Sequence, residues 1–122
     1  MKKLIKMKKI EFIIHPKVGK QCITRDDNYV LLSYYLSERK DKENLEIEIS
    51  NLELVKSGEK SFEAVYDADS FIISIGYSAG EFECDKDTAY FISNNPESEP
   101  SIEMPLQELI DLLKKWHSFL YD

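Results

Sequence analysis

The chain of 122 residues carries 16 lysines and arginines against 23 aspartates and glutamates, a formal net charge of −7, and is 43% hydrophobic with 11% aromatics. This composition excludes whole-chain disorder and describes one soluble globular domain, 1–122, because a chain of this size buries roughly two thirds of the surface it exposes when unfolded. No run of 18 apolar residues occurs, and the lysine-rich start lacks the uninterrupted apolar stretch of a signal peptide, so a cytoplasmic protein without a membrane partner is expected.

Residues 1–20 hold seven lysines and one glutamate, a net of +6, whereas residues 21–122 hold nine lysines and arginines against 22 carboxylates, a net of −13. An acidic body of this size repels nucleic acid and anionic membrane, and steers a basic protein toward itself over long range. In the basic leader, 1–9, Leu4, Ile5 and Met7 interleave with the lysines, and Ile10 follows, which predicts an edge strand with a frayed start rather than a nucleic-acid arm. Translation could also begin at Met7, which would remove Lys2, Lys3 and Lys6.

Ile10–Ile14 is short, β-branched and aromatic, and predicts a strand that His15-Pro16 and Gly19 bring to an end. After a polar turn through Arg25-Asp26-Asp27-Asn28, the run Tyr29–Leu36 fits a strand or a short helix; Val30 and the Tyr34-Tyr35 pair lean it toward strand, although Asp27 or Asn28 would make a good helix cap. The mixed charges of Ser37–Asn44 predict a solvated loop. Leu45–Lys56 fits two templates. Leu45, Ile47 and Ile49 alternate with Glu46, Glu48 and Ser50 as in a half-buried strand, while Leu45, Ile49, Leu52 and Val55 share a helix face that ends at Ser57-Gly58.

From Phe62 onward the pattern is β: Phe62–Tyr66, Phe71–Tyr77, Gly80–Cys84 and Ala89–Ser93, with turn residues recurring every eight to ten positions as in an antiparallel meander. Asn94–Pro100 reads as a loop. A helix then opens at Pro105, with Leu106, Leu109, Ile110, Leu113, Trp116, Phe119 and Leu120 on one apolar stripe. The expected architecture is α+β: an antiparallel sheet of four to six strands with the C-terminal amphipathic helix packed on one face.

Residues for chemistry are sparse. Cys22 and Cys84 stand 62 positions apart without a metal-ligand spacing, so reduced, buried thiols are expected. His15 with Cys22 is the best nucleophile–base pairing on offer, and a turn histidine is the simpler account; His117 sits late in the last helix, where interaction with terminal carbonyls is expected. Asp85 and Asp87 could offer oxygens to a hard cation, but the calcium-loop pattern is absent and a solvated turn is the plainer reading. Gly19, Gly58, Gly76 and Gly80 never take the spacing of a phosphate cradle. No catalytic residues, metal or cofactor are expected.

Two stretches read together carry a resemblance: Leu54-Val55-Lys56-Ser57-Gly58-Glu59 leading through Ala68 and Ser70 into Phe71-Ile72-Ile73, and Glu103-Met104-Pro105-Leu106-Gln107-Glu108-Leu109-Ile110-Asp111-Leu112-Leu113-Lys114-Lys115-Trp116. Covering about half of the chain, the arrangement resembles small immunity proteins of bacterial polymorphic-toxin and contact-dependent growth-inhibition systems, with Tyr66-Asp67 where a Gly-Asn pair often stands. The resemblance implies helix for 45–56. It also implies a binding protein without catalysis that occludes a cognate toxin domain, frequently a nuclease, whose cationic cleft an acidic protein complements. The competing expectations are an acidic interaction or regulatory module for another partner, and a small enzyme or carrier with a hidden pocket.

Acidic and aromatic residues that could share an exposed surface are Asp67, Asp69, Tyr77, Glu81, Glu83, Asp85 and Asp87 in one predicted hairpin region, with Glu81 and Glu83 on a common strand face; Glu97 and Glu99 of the 94–100 loop form the second candidate.

Overall fold

The computed structural model describes residues 4–7, 9–62, 73–74 and 80–122. In chain order these form β1 (Leu4–Met7), β2 (Ile10–His15), β3 (Gly19–Thr24), a 3-10 turn (Asp27–Tyr29), α1 (Val30–Ser37), α2 (Lys42–Ser57), β4 (Ile73–Ser74), β5 (Gly80–Cys84), β6 (Thr88–Ser93), β7 (Ile102–Pro105) and α3 (Leu106–Tyr121). The class is α+β, with antiparallel strands and a C-terminal helix. The strands do not join in the single sheet expected; they divide into β1-β2-β3 and β4-β5-β6-β7.

The leader expectation holds for β1, which is an edge strand paired to β2. The chain then turns back at Pro16, because His15 Nδ1 accepts the amides of Lys17 and Val18 at 3.0 and 3.4 Å and Gly19 takes φ 83°, as a three-residue hairpin loop requires. The resulting β3 was not expected from the sequence: only Cys22 of its six residues is buried, so it carries no apolar alternation.

Tyr29–Leu36 is helical, not extended. Asp26 accepts the Asn28 amide at 2.9 Å and starts the 3-10 turn, and Leu31, Leu32, Ser33, Tyr35 and Leu36 are all buried, so contact on nearly every side overrides the strand preference of Val30 and the tyrosines. The expected solvated loop is also shorter than predicted, since α2 begins at Lys42 and Arg39 is drawn into the interior. For the contested segment the ends decide. Asp41 caps the first turn through Asn44, and Gly58 at φ 82° closes a Schellman turn in which Gly58 N–H reaches the Val55 carbonyl and Glu59 N–H the Leu54 carbonyl. Leu45, Ile49, Leu52 and Val55 form its buried face.

Of the expected strands, Gly80–Cys84 is β5 with the same bounds and Ala89–Ser93 lies within β6. The strand expected at Phe62–Tyr66 falls mainly outside the described residues, Phe62 itself being helical and buried, and Phe71–Tyr77 is described only at Ile73–Ser74, which pairs with β5. Gly80 meets a strict requirement. A Cβ at that position would run into the Ile92 carbonyl oxygen across the β5–β6 ladder. Pro105 ends β7 rather than opening the helix; it stands as the N-cap of α3, and the first helical amide, Leu106 N–H, is taken by the Asp87 carbonyl of the β5–β6 turn at 2.9 Å.

Two aromatic groups fill the centre. Phe12 on β2 packs against Trp116 and Phe119 of α3 with ring centroids 5.0 and 5.5 Å apart. Tyr35 on α1 packs against Phe82 and Phe91 of β5 and β6 at 5.3 and 5.0 Å. The helices join them: α2 lies on α3, and the Trp116 indole N–H donates to the Arg39 carbonyl at 2.8 Å. At the other end of α3, Lys20 Nζ on β3 donates to the Leu120 carbonyl at 2.8 Å, so a cation answers the helix C-terminus. Trp116→Ala is expected to cost about 3–5 kcal/mol of unfolding free energy, and Trp116→Phe less, about 1–3 kcal/mol, because the ring volume largely survives while a buried carbonyl loses its donor. Urea unfolding of both variants checks this, and a loss within the range of surface substitutions would remove Trp116 from the centre of the core.

A candidate interaction surface

The second sheet has two unlike faces. Along β5 the burial alternates strictly, with Gly80, Phe82 and Cys84 inside and Glu81 and Glu83 outside. The register carries this alternation across the sheet: Glu83 stands opposite Tyr90 and Tyr90 opposite Glu103, while Glu81 stands opposite Ile92. Hence Glu81, Glu83, Tyr90, Ile92 and Glu103 lie on one outer face, with Ile92 41% exposed, Tyr90 half-buried and the three glutamates exposed. Among the described residues, Glu81, Glu83 and Glu103 make no ion pair, whereas Glu11 binds Arg25, Glu48 binds Arg39, Glu53 binds Lys114 and Glu46 binds His117, all within 3.0 Å.

The expected site therefore divides. Glu81 and Glu83 share the outer face as their spacing implied. Asp85 and Asp87 sit at its tip in the β5–β6 turn, but Asp85 has work there: its Oδ1 accepts the Asp87 and Thr88 amides at 2.8 and 2.7 Å, and its other oxygen lies 3.5 Å from the Tyr90 hydroxyl. Those backbone amides hold its carboxyl below the usual aspartate range, with a smaller downward contribution from Tyr90. Asp67, Asp69 and Tyr77 lie outside the described residues. In the second candidate, Glu97 is exposed, whereas Glu99 is half-buried and engages Tyr34 of α1; burial and the Glu99 carboxylate push the Tyr34 phenol up.

Three residues of the face were not among the expected ones. Tyr90 and Ile92 alternate with Ala89 and Phe91 and were open to the same period-two reading that found Glu81 and Glu83. Glu103 gave no such signal, because β7 is four residues long with only Met104 buried.

Elsewhere the chemistry is occupied with structure. An open groove of about 640 Å³ is lined by Lys9, Ile10, Glu11, Arg25 and residues 26–28, where Glu11 is ion-paired and Asp26 caps a turn. A second, of about 310 Å³, follows the α2–α3 seam, where the Glu53–Lys114 ion pair and the 2.8 Å contact of His117 Nε2 with Glu46 join the two helices. Among the described residues no group of three or more His, Cys, Asp and Glu side chains is arranged to hold a metal, and no helix is long and apolar enough to cross a membrane. Cys22 and Cys84 are both buried and not disulfide-bonded, and burial pushes the Cys22 thiol up. His15 spends Nδ1 on its own turn.

No family model, curated protein sequence or solved structure matches the chain.

Two outcomes follow from these environments. Cys22 is expected to resist alkylation by iodoacetamide at pH 8 in the folded protein and to react once the chain is unfolded in urea, since the reactive species is the thiolate; rapid labelling of native Cys22 would contradict its burial. Asp85, lowered in the folded state, supports the fold above its unfolded pKa, and that support is lost as pH falls through the folded value. A carboxyl carbon NMR titration should place its midpoint below the usual aspartate range, and Asp85→Ala should flatten the acid limb of the stability curve.

Proposed function

We propose that this chain is a protein-binding module whose partner is basic, and that it acts as an immunity protein: it occupies a cognate toxin domain, a nuclease in the first instance, by charge complementarity, without catalysis of its own and in the cytoplasm. The observation that carries the reading is the outer face of the second sheet, where Glu81, Glu83 and Glu103 surround Tyr90 and Ile92 and make no ion pair among the described residues.

Protein interfaces combine a few aromatic or apolar anchors with charged groups at the rim, and this face offers both on a rigid support. Phe82, Phe91 and Met104 fix its reverse side in the core, so the outer side chains can meet a partner with little rearrangement of the backbone. Nuclease clefts attract phosphates and are cationic, and a body with a net of −13 over residues 21–122 approaches such a cleft faster than diffusion alone would bring it. The resemblance to growth-inhibition immunity proteins supplies the kind of partner, and the charge supplies the physical reason for its attraction.

An immunity gene lies directly downstream of its toxin gene, so the large protein encoded immediately upstream is the partner to test. Its C-terminal toxin domain is expected to bind the full chain and to lose activity on doing so. Charge reversal at Glu81 and Glu83 together should slow association at low salt while leaving the melting transition nearly unchanged, since both carboxylates are solvated. The defect should shrink as ionic strength rises past about 0.15 M, where the screening length is near 8 Å. Association rates by stopped flow decide this, and an unchanged rate at low salt removes the face from the interface.

A further inference from the structure

We propose that the cross-strand row Glu83, Tyr90 and Glu103 receives an arginine side chain from the protein partner, the guanidinium lying on the Tyr90 ring between the two carboxylates. This rests on the outer face being the partner-binding surface, and adds the side chain that the surface selects.

The register sets Tyr90 on the middle strand with one glutamate opposite it on β5 and another opposite it on β7. Neighbouring strands stand about 4.8 Å apart, so the two carboxylates flank the ring from positions roughly 10 Å apart. A guanidinium is planar, carries five N–H donors and stacks on aromatic faces, so from one position over the ring it presents donors to both sides. An ammonium is a compact, strongly hydrated charge that gains less from the ring and pairs with one carboxylate at a time. Two residues along β6, Ile92 continues the same face beside Glu81 and extends an apolar surface next to the row for the residues that flank the arginine.

The same three kinds of group are already assembled elsewhere in this molecule. Arg39 lies over the Tyr35 ring with its guanidinium carbon 3.9 Å from the centroid, and its Nε donates to Glu48 Oε2 at 3.0 Å. In the interior the chain supplies its own arginine. On the outer face, Glu83 and Glu103 are exposed and make no ion pair among the described residues, which leaves both carboxylates open to a cation carried by a partner.

The test uses the full isotope-labelled chain and two capped tripeptides, acetyl-Gly-Arg-Gly-amide and acetyl-Gly-Lys-Gly-amide, titrated at low salt and followed by NMR. Expected are shifts of the Tyr90 ring and of amides in 82–84, 89–91 and 102–104, with the arginine peptide bound about three-fold tighter than the lysine peptide. Tyr90→Leu should bring arginine binding down to the lysine level, and Tyr90→Phe should restore the difference. The nearly isosteric pair Glu83→Gln, Glu103→Gln should weaken arginine binding, and decides the matter if Tyr90→Leu does not fold. Shifts spread evenly over exposed carboxylates such as Asp41, Glu43 and Asp122, equal binding of the two peptides, or arginine binding unchanged in the double glutamine variant would each overturn the proposal. The peptides need no toxin, so the two readings fail separately. An arginine preference with no toxin domain bound keeps the row and discards the immunity role, whereas toxin binding with no arginine preference does the reverse.

Discussion

Arg39 is the residue on which the packing of the helices turns. Its guanidinium lies against the Tyr35 ring and pairs with Glu48 on α2, its carbonyl accepts the Trp116 indole N–H from α3, and Tyr35 in turn donates its hydroxyl to Glu48 while its ring meets Phe82 and Phe91 of the second sheet. One residue between α1 and α2 thus touches α1, α2 and α3 and, through Tyr35, one sheet. The side chains of Arg39 and Glu48 are only 12% and 11% exposed. Burial alone would push the guanidinium pKa down, but Tyr35 and Glu48 more than offset it, and the balance is upward. A charge so far from water is tolerated only where its partners are in place, and removing one partner leaves the other buried and unpaired. The node therefore acts against alternative packings: any arrangement that separates α1, α2 and α3 strands a charge.

This explains where reading the sequence succeeded and where it failed. Helix α3 was legible because it has one apolar stripe and one solvated side, and β5 because its burial alternates residue by residue. Helix α1 was misread because five of its eight residues are buried, so neither helical nor strand periodicity survives, and the signal that remained, Asp26 as a cap, is one of two adjacent aspartates in that turn. Arg39 sits in a run of charges that resembles a solvated loop, and it is the approach of Glu48 and Trp116 from farther along the chain that draws it inward. For α2 the apolar pattern fitted helix and strand alike, and Asp41 and Gly58 at its ends settle the matter. The division into two sheets was not legible at all, because β3 and β7 each bury a single side chain.

The surface was half visible for related reasons. Glu81 and Glu83 announce a common face by spacing two apart, and the structure keeps them there. That Tyr90 and Glu103 join them depends on which strands pair and in what register, and a one-residue slip of β7 would place Glu103 in the core and Met104 outside. Glu99 looked equivalent to Glu97 in sequence; the fold ties it to Tyr34 and leaves Glu97 in solvent. Charge alone could not sort these cases, since carboxylates on β2 and α2 are as acidic in sequence as those on β5, yet tertiary structure brings cations to Glu11, Glu48 and Glu53 and the His117 ring to Glu46.

That sorting bears on how such a face can change without loss of the fold. Phe82, Cys84, Ala89, Phe91 and Met104 hold the inner side of the second sheet in the core, while Glu81, Glu83, Tyr90, Ile92 and Glu103 alternate with them and face the other way. Because successive side chains on a strand point to opposite sides, a substitution on the outer set leaves the inner contacts in place and perturbs stability through little more than strand preference and cross-strand pairing, each worth up to about 1 kcal/mol. Residues of the Arg39 node lack that freedom, since Arg39, Tyr35 and Glu48 are bonded to one another away from solvent. A binding surface that must follow a changing partner is best carried where alternation separates it from the core, and Glu81, Glu83 and Glu103, which make no ion pair among the described residues, lie on such a face.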